Sequence, residues 1–558
     1  MKTKWNWLFD RPGRSRKSVG AHTARRLCVE HLENRLLLTA TLGWANVHGS
    51  TGDDGVYGVS TDGLGNSYVA GWFSGVVDFD PGANTHFLTS AGGTDSFAAK
   101  YSPVGALIWA TRMGSADNNT YDWAVDIAVG GPDNAVVLTG NFTGSAVFGT
   151  TPTPTTLVSG GGQDVFVAKL NGATGNIIWA NKLGGALTDR ASSLAMDGGG
   201  NVYVGASGGF SVAKFNVDGV LQWEVGGPSP NSIAVDSSGS IYTTGDSGAG
   251  TVDFDPGIGT FTLSSSSSFA FVQKLKSDGT FEWAKQFSVA SGNGRSGGRD
   301  IAVDGFGNAY VTGGFQGKVD FDPGTGSLLL TSARGSFDLF VSKLTPAGNL
   351  IWVRQVGGTG TDVGSGIAVD GGNAVYLTGG FSGTVDFNPG AGIYNLSSVD
   401  TYDIGVLKLH ADGNFAWAVR TGGSDQFWAR DIAVHPGGDV MVAGYFRGTA
   451  DFDPGIGAYR RTSAGGNDTF LVKLKQPVAL LASSSVTENS VTENTDVLAM
   501  ASPANAKAVS SRRNEKKETA HLIDAVFSDA PDLLWYPIFS DRASIDLLDW
   551  DSLDLLGS

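Results

Sequence analysis

The feature that most constrains the fold is a long internal repeat, and a tryptophan marks the end of each copy. Aligned tryptophans follow one another at spacings of 65, 70, 44, 60, 69 and 65 residues: Trp44, Trp109, Trp179, Trp223, Trp283, Trp352 and Trp417. Self-similarity of this kind indicates one supersecondary unit used many times, with each copy packed on its neighbours. We therefore expect a single repeat architecture over most of the chain.

Each repeat contains four short apolar runs. The fullest copy, residues 299–358, contains the runs "IAVD", "NAYVTGGF", "DLFVSKL" and "NLIWVRQV". Glycine, asparagine, aspartate or proline bounds each run, which is the pattern of strands joined by turns. The 82 glycines and the low charged fraction of 16% favour short strands over helices. The sequence therefore predicts an all-β protein built from four-stranded antiparallel units.

The two ends of the repeat region are incomplete in complementary ways. The segment "TLGWANV" (41–47) matches a fourth strand that has no first three strands before it. The segment "TFLVKL" (469–474) matches a third strand that has no fourth strand after it. Seven such units predict a seven-bladed β-propeller. The N-terminal strand would complete the last blade, which closes the ring and covers an edge that would otherwise be open.

The repeat resembles a known family. The pattern "IAVD…GNxYVTGxF…DxFVxKL…GxxxW" is similar to the bacterial seven-bladed β-propeller repeat family, SBBP, over about residues 41–476. The resemblance implies the fold and no particular activity, because that family is defined by its architecture. The stretch "LNGATGNIIW" (170–179) also looks like the repeat of quinoprotein dehydrogenases. Those enzymes use eight blades and often a cysteine pair, whereas Cys28 is the one cysteine here.

A short acidic motif recurs in five repeats. "VDFDPG" stands at 77–82, 252–257 and 319–324, "VDFNPG" at 385–390 and "ADFDPG" at 450–455. The third repeat goes straight from its second to its third strand, so the motif belongs to an insertion between those strands. Proline and glycine favour the tip of a hairpin, with the first aspartate capping the turn and the phenylalanine packed beneath it. This turn is the preferred interpretation.

The alternative interpretation is a calcium site, because alternating aspartates are a common source of the oxygen ligands that Ca²⁺ requires. The residues concerned are Asp78, Asp80, Asp253, Asp255, Asp320, Asp322, Asp386, Asn388, Asp451 and Asp453. No other cofactor is expected. Binding of calcium at these residues is a prediction that the sequence leaves open.

Two further residue types recur. A lysine stands in every third strand: Lys100, Lys169, Lys214, Lys274, Lys343, Lys408 and Lys473. An aspartate ends the first strand of five repeats: Asp62, Asp197, Asp236, Asp304 and Asp370. A ring of ligand-binding lysines is one interpretation. A partly buried ion pair repeated by symmetry is the preferred one, and the tryptophans are expected to fill the gaps between blades.

Charge divides the chain into regions. Residues 1–40 carry a net charge of +6, residues 477–558 carry −7, and the repeat region between them carries −15. An acidic body argues against a nucleic-acid partner, because phosphates require basic surface. No apolar run approaches the roughly 18 residues of a membrane-spanning helix. We expect a leader at 1–40, a propeller at 41–476, a disordered linker at 477–530 and an acidic tail at 531–558.

The leader also carries a resemblance. "RRLCVEHLENRLLLTA" (25–40) is similar to an N-terminal segment of exported proteins in planctomycete-type bacteria, with Asn34 at the place of the usual proline. It is basic and then apolar, as an export signal is. The resemblance implies an extracellular or cell-surface location. A basic leader with no signal function is the alternative.

No catalytic constellation stands out. The seven histidines show no H-E-x-x-H spacing, and no Walker loop is present. We therefore expect a non-catalytic scaffold that binds a protein or a glycan. The alternatives are a calcium-binding structural or adhesive module, and a quinoprotein-like or carbohydrate-active enzyme. Because both the inserted hairpins and the links between blades lie on one face, the ligand is expected there, near the short third blade.

Overall fold

A computed structural model describes residues 39–116, 121–149, 154–423 and 425–477 of the chain. Residues 1–38 of the leader predicted at 1–40 lie outside the described residues, as do residues 478–558, which hold the predicted linker and tail. The described chain forms seven four-stranded antiparallel blades in succession, and its helical content is a single 3₁₀ turn at Ala333–Gly335. The seven-bladed β-propeller predicted from the repeat is confirmed.

Each blade runs from a first strand at the centre of the ring to an outer strand at the rim. The strands of blade 1 are Gly55–Thr61, Ser67–Asp78, Phe87–Tyr101 and Leu107–Ser115. Those of blade 2 are Trp123–Gly130, Ala135–Phe142, Asp164–Leu170 and Ile177–Leu183. Those of blade 3 are Arg190–Met196, Val202–Ser207, Val212–Phe215 and Leu221–Val225.

The next two blades share a strand. The strands of blade 4 are Ser232–Val235, Ile241–Ser247, Phe269–Leu275 and Phe281–Val303. The last of these continues into blade 5 as its first strand, and blade 5 goes on with Ala309–Asp320, Phe337–Leu344 and Leu350–Val356.

The last two blades lead to the ring closure. The strands of blade 6 are Val363–Val369, Val375–Phe381, Asp403–Leu409 and Phe415–Gly423. Blade 7 uses Phe427–Val434, Val440–Phe446, Asp468–Lys475 and, as its outer strand, Thr41–His48.

The N-terminal strand closes the ring as predicted. Thr41–His48 pairs antiparallel with Asp468–Lys475, with Leu42 opposite Leu474 and Val47 opposite Phe470. The partners are more than 400 residues apart in sequence, so this pairing is the non-local contact that joins the first and last parts of the propeller. It covers an edge of blade 7 that would otherwise expose unpaired backbone groups.

An inserted hairpin follows the second strand in six blades. In blades 2, 4, 6 and 7 its strands are Ser145–Phe148 with Thr155–Val158, Gly250–Asp253 with Thr262–Ser265, Thr384–Asp386 with Asn395–Ser397, and Thr449–Asp451 with Arg460–Thr462. In blade 1 the second and third strands themselves extend into the hairpin, and in blade 5 the second strand pairs with Leu329–Thr331. The hairpin of blade 2 lacks the acidic motif and was missed from the sequence.

Several hairpins also pair with the blade before them. Met113 on the outer strand of blade 1 lies opposite Phe148 in the hairpin of blade 2. In the same way, Val289 of blade 4 lies opposite Val319 of blade 5, and Gly422 of blade 6 lies opposite Asp451 in the hairpin of blade 7. These hairpins therefore act as clamps between neighbouring blades.

Blade 3 has the shortest connection between second and third strands, from Ser207 to Val212. Phe210 in this connection is 5% exposed and packs against Val165 and Leu183 of blade 2. A buried phenylalanine therefore occupies this junction even where the hairpin is missing.

The connections define two faces of the ring. The hairpin face carries the hairpins and the links from one blade to the next, and the turn face carries the tight turns within each blade. Among the described residues, no helix is long and apolar enough to cross a membrane.

Candidate functional site

The acidic motifs form the tips of the hairpins, and their aspartates accept backbone hydrogen bonds. Oδ1 of Asp320 accepts from the amide of Asp322 at 3.1 Å and from that of Leu328 at 2.8 Å. Oδ1 of Asp322 accepts from the amide of Gly324 at 2.8 Å. The same three bonds recur at Asp78 and Asp80, Asp253 and Asp255, Asp386 and Asn388, and Asp451 and Asp453.

The phenylalanine of each motif points away from the tip into the core. Phe79, Phe254, Phe321 and Phe452 are fully buried, and Phe387 is 4% exposed. In blade 5, Phe321 contacts Phe315 and Phe340, with ring centroids 5.1 and 4.9 Å apart. The geometry is that of a capped turn seated on an aromatic cluster, as the preferred interpretation describes. Within the described residues, no group of three or more His, Cys, Asp or Glu is arranged to hold a metal ion. Calcium binding at the ten motif residues stays a prediction.

The recurrent lysines lie on the turn face and connect blades to one another. Nζ of Lys100 donates to the carbonyl oxygen of Gly172 in blade 2 at 2.8 Å, and it lies 4.9 Å above the ring of Tyr68. It is 4.0 Å from Asp62, whose carboxylate also accepts from Tyr68. Burial lowers the pKa of Lys100. Although burial opposes it, hydrogen bonds from Asn66, Tyr68 and Leu64 hold the pKa of Asp62 below its usual value.

This arrangement recurs around the ring. Lys343 lies 3.6 Å from Asp304 and over Tyr310, while Lys169 and Lys473 bind Asp133 and Asp439, which lie in the turns. The ammonium groups of all seven lysines are therefore drawn inward or toward the next blade. In five blades the ammonium group lies over the ring of a tyrosine: Tyr68, Tyr203, Tyr242, Tyr310 and Tyr376. The structure favours the structural role over a ligand-binding lysine ring.

Three aspartates on first strands line the central channel: Asp126, Asp300 and Asp431. Each bridges to a neighbouring blade, as when Asp431 accepts from the amide of Val59 at 2.8 Å. Asp126 likewise accepts from the Ser193 hydroxyl and the Leu194 amide. Burial raises the pKa of Asp126 to about 6 and that of Asp431 well above its usual value, and the other channel aspartates add to both effects. These carboxyls hold the blades together around the channel.

Partly exposed aromatic side chains gather on the hairpin face around one half of the channel mouth. Trp123 lies 6.2 Å from Trp72 and 6.1 Å from Tyr121, measured between ring centroids. On the other side, Trp428 stacks on Tyr402 at 5.3 Å. Tyr121 is 42% exposed and the other four are half-buried. These rings therefore offer exposed apolar area on the hairpin face.

An arginine packs against two further tyrosines on this face. The guanidinium of Arg430 lies 4.8 Å from the ring of Tyr57 and 5.1 Å from that of Tyr445, and it donates to the Tyr445 hydroxyl at 2.7 Å. We call the whole set the aromatic arc: Tyr57, Trp72, Tyr121, Trp123, Tyr402, Trp428, Arg430 and Tyr445. Tryptophan, tyrosine and arginine are the residues that contribute most to binding at interfaces.

The arc is confined to one half of the ring. The register of the first and second strands places Trp123 and Trp428 at positions that Arg190 and Gly297 occupy in blades 3 and 5. Trp72 and Tyr445 likewise correspond to Ser207 in blade 3. The equivalent positions in the other half are therefore not aromatic, so the arc is not a consequence of the repeat itself.

The sequence did not single out the arc or the channel aspartates. The available signal was the departure from the repeat at the starts of the first strands, where "YDWAVD" and "QFWARD" replace glycine and serine. Residues that break a repeat pattern at equivalent positions are candidates for function, because the shared fold does not require them.

A ring of seven four-stranded antiparallel blades around a channel defines a β-propeller, and this chain is one. Residues 282–313 match the family model described as Beta-propeller repeat. An uncharacterised WD repeat-containing protein of Acanthamoeba polyphaga mimivirus is 24% identical, with a match covering 73% of this chain and 36% of the relative. The chain thus spans about a third of that relative's length.

Solved structures with similar folds are distant. A protein of unknown function from Dyadobacter fermentans is 11% identical with a TM-score of 0.37, covering 78% of this chain and 99% of that chain. A quinohemoprotein alcohol dehydrogenase from Pseudomonas putida is also 11% identical with a TM-score of 0.37, covering 84% and 80%. Similarity at this level carries no information about activity.

Proposed function

We propose that this β-propeller is a non-catalytic scaffold that binds a protein or a glycan on its hairpin face, at the aromatic arc. The observation that supports the proposal is the concentration of partly exposed Trp, Tyr and Arg side chains on one half of the channel mouth. Such side chains give large contact area at a low cost in conformational entropy. All of them except Tyr121 and Tyr402 stand on strands of a closed ring, so most of the surface is rigid before a ligand binds.

The location differs from the one that the sequence favours. The sequence predicts a ligand near the short third blade, where the connection between second and third strands is the shortest. The arc lies instead on blades 7, 1 and 2, with Tyr402 contributed by blade 6. A short connection supplies few contacts, whereas partly exposed aromatic rings supply a large contact area. We therefore place the ligand at the arc, where it would also touch the hairpin tips of the same blades.

The test measures binding by the full chain to a glycan array and to proteins captured from the host cell surface. The Tyr121→Ala and Trp123→Ala variants should each weaken the binding of an identified ligand by about tenfold or more. The Phe306→Ala variant is the matched control, because Phe306 is 76% exposed on the turn face. Equal loss in the control, or unchanged affinity in both arc variants while they stay folded, would contradict the proposal.

We also propose that the chain is exported and acts at the cell surface or outside the cell. The support is the basic and then apolar leader, together with the aromatic and hairpin-rich face that a surface adhesin or receptor would use. The full chain should appear in the surface or medium fraction of its host, and a chain lacking residues 1–38 should stay inside. Retention of both forms inside the cell would contradict export.

A further inference from the structure

Blade 5 departs from the repeat on the hairpin face, where three arginines are exposed: Arg295, Arg299 and Arg334. Arg295 lies two residues before Gly297, and Tyr121 lies two residues before Trp123 at the equivalent place in blade 2. Arg299 is the bulge residue of its strand, as Arg430 is in blade 7. Blade 5 therefore carries arginines at positions that belong to the aromatic arc in blades 2 and 7.

Arg334 lies in a connection that is one residue longer than its counterparts. Blade 5 reads "SARGSFD" (332–338), whereas blades 1 and 7 read "SAGGTD" (90–95) and "SAGGND" (463–468). The serine that opens each connection accepts a glycine amide in all three blades, so these serines correspond. Arg334 has φ 49° and ψ 19°, in the left-handed region that residues other than glycine seldom adopt. An arginine kept where glycine would be unstrained indicates a role for its side chain.

Arg295 is held in place with its outer edge free. Its Nε donates to Oε1 of Gln316 at 3.0 Å, and its guanidinium lies 4.7 Å from the centre of the Phe337 ring. Nε2 of Gln316 donates in turn to the carbonyl oxygen of Gly335, the residue after Arg334. Among the described residues, the two terminal amino groups of Arg295 have no hydrogen-bond partner. Gln316 therefore links the places of two arginines and leaves the donors of Arg295 available to an anion.

The three arginines also have no counter-ion within the part of the chain that the structure describes. Other arginines on the hairpin face do, since Arg112 pairs with Asp95 and Arg420 pairs with Asp403. Acidic groups are abundant, because the repeat region carries a net charge of −15. Unpaired arginines on such a body create a local positive potential, which attracts an anionic ligand.

The arginines adjoin one end of the aromatic arc. Tyr402 of blade 6 and Phe337 of blade 5 take equivalent places, each one residue before a buried aspartate of the third strand. Trp428 stacks on the first ring, and Arg295 lies over the second. The arc thus runs through blades 2, 1, 7 and 6, and the arginines continue it into blade 5.

We propose that Arg295, Arg299 and Arg334, which we call the arginine patch, bind the carboxylate or sulfate groups of an acidic glycan whose sugar rings lie on the aromatic arc. This inference rests on the proposed function and names the class of its ligand. A guanidinium group binds an oxyanion through two parallel hydrogen bonds. Sugar rings present faces of C–H bonds that pack on aromatic rings. A sugar acid offers both features in a single unit.

Other polyanions fit the two surfaces less well. An acidic peptide supplies carboxylates but few ring faces for the tryptophans and tyrosines of the arc. A nucleic acid requires that many phosphates along its length be neutralised, and the acidic repeat region offers three unpaired arginines at this place. An acidic glycan is therefore the ligand class that uses the arc and the arginine patch together.

The experiment measures binding of the full chain to polygalacturonate and to dextran sulfate by calorimetry, with uncharged dextran for comparison. We expect at least one acidic glycan to bind, more tightly than dextran and more weakly as salt is added. Arg295→Gln and Arg334→Gly should each weaken that binding by about tenfold. Glycine adopts a positive φ without strain, so Arg334→Gly should fold as stably as the unchanged chain.

Lys276→Gln is the matched control, because it removes an exposed cation from a tight turn of blade 4 on the turn face. It should bind as the unchanged chain does. Equal binding of dextran and the acidic glycans would overturn the arginine patch. Unchanged affinity in both arginine variants would do the same, and loss of binding in Trp123→Ala would then leave the arc as the site.

Three further outcomes are decisive. Equal binding of poly-L-glutamate would overturn the proposal in favour of an acidic peptide, and binding of neither acidic glycan would overturn it as well. Loss in the arginine variants with full binding by Trp123→Ala would uphold the arginine patch and contradict the proposed function, because the arc would then contribute nothing.

Discussion

The indole Nε1 of Trp109 in blade 1 donates a hydrogen bond of 3.2 Å to the carbonyl oxygen of Gly172 in blade 2. The same bond joins Trp44 to Pro103, Trp179 to Val217, Trp283 to Pro346 and Trp352 to Ala411. In blade 6, Trp417 donates instead to the side chain of Gln476. Each of these tryptophans therefore fastens its blade to the third-to-fourth-strand turn of the next blade, or to the residue at the end of the propeller.

Replacing Trp109 should destabilise the propeller. The side chain is 7% exposed and packs in the core between blades 1 and 2, so Trp109→Ala should lower the free energy of unfolding by about 3–5 kcal/mol. Ile108, its neighbour on the same strand, is 45% exposed, and Ile108→Ala should cost less than about 0.5 kcal/mol. Denaturant unfolding of both variants measures the difference, and equal losses would contradict an inter-blade role for the tryptophan.

The two aspartates of a hairpin tip should differ in their contribution to stability. Asp320 accepts two backbone amides and the hydroxyl of Ser327, whereas Asp322 accepts one amide. Asp320→Ala should therefore cost about 1–2 kcal/mol and Asp322→Ala about 0.5–1 kcal/mol. Chemical denaturation in the presence of a chelator measures both. A larger loss at Asp322 than at Asp320 would show that the turn bonds do not decide the role of the motif.

Removal of the closing strand should leave an open edge on blade 7. A chain lacking residues 1–48 exposes the backbone groups of Asp468–Lys475, so we expect loss of solubility and concentration-dependent association. A chain lacking residues 1–38 retains Thr41–His48 and is the matched control. Light scattering on the two proteins measures how far each one associates. A monomeric and equally stable shorter chain would mean that the closure contributes little.

Asp122 should make stability depend on pH. Burial raises its pKa to about 6, and nearby Asp95 adds to the effect. Because this folded-state pKa exceeds the unfolded value of about 3.9, its contribution to stability is fully present below pH ~4 and is lost as pH rises through about 6. Asp122→Asn cannot ionise, so its stability relative to the unchanged chain should rise by about 2–3 kcal/mol between pH 4 and pH 8.

Unfolding midpoints of both proteins across that range, with chelator present, provide the measurement. A constant difference between them would mean that Asp122 ionises in the folded chain as easily as it does in water.

The sequence predicted the blades because the information for them is local. Alternating apolar residues specify each strand, and glycine, proline and aspartate specify the turns, so seven blades and the closing strand follow from counting runs. The hairpin tips were predictable for the same reason. The hairpin of blade 2 could not be predicted, because its buried phenylalanine, Phe148, is not flanked by the two aspartates of the motif.

The aromatic arc and the channel aspartates depend on contacts between blades, which a repeat pattern does not reveal. Asp431 of blade 7 meets Val59 of blade 1 only because the ring closes. A β-bulge also interrupts the first strand of most blades, for example between Ala124 and Asp126 and between Ala429 and Asp431. One extra residue reverses the alternation of side chains, so counting by twos along the strand assigns the wrong residues to the channel.

The uneven distribution of hairpin clamps has a mechanical consequence. In the described residues, hairpins clamp blade 1 to blade 2, blade 4 to blade 5 and blade 6 to blade 7, whereas blades 2 and 3 are two consecutive blades whose outer strands receive no strand from the next blade. A pulling force on a bound ligand would be shared between two blades at each clamp, but over these two consecutive blades it would load single blades. We expect the ring to yield first in this sector, opposite the point where its two ends are joined.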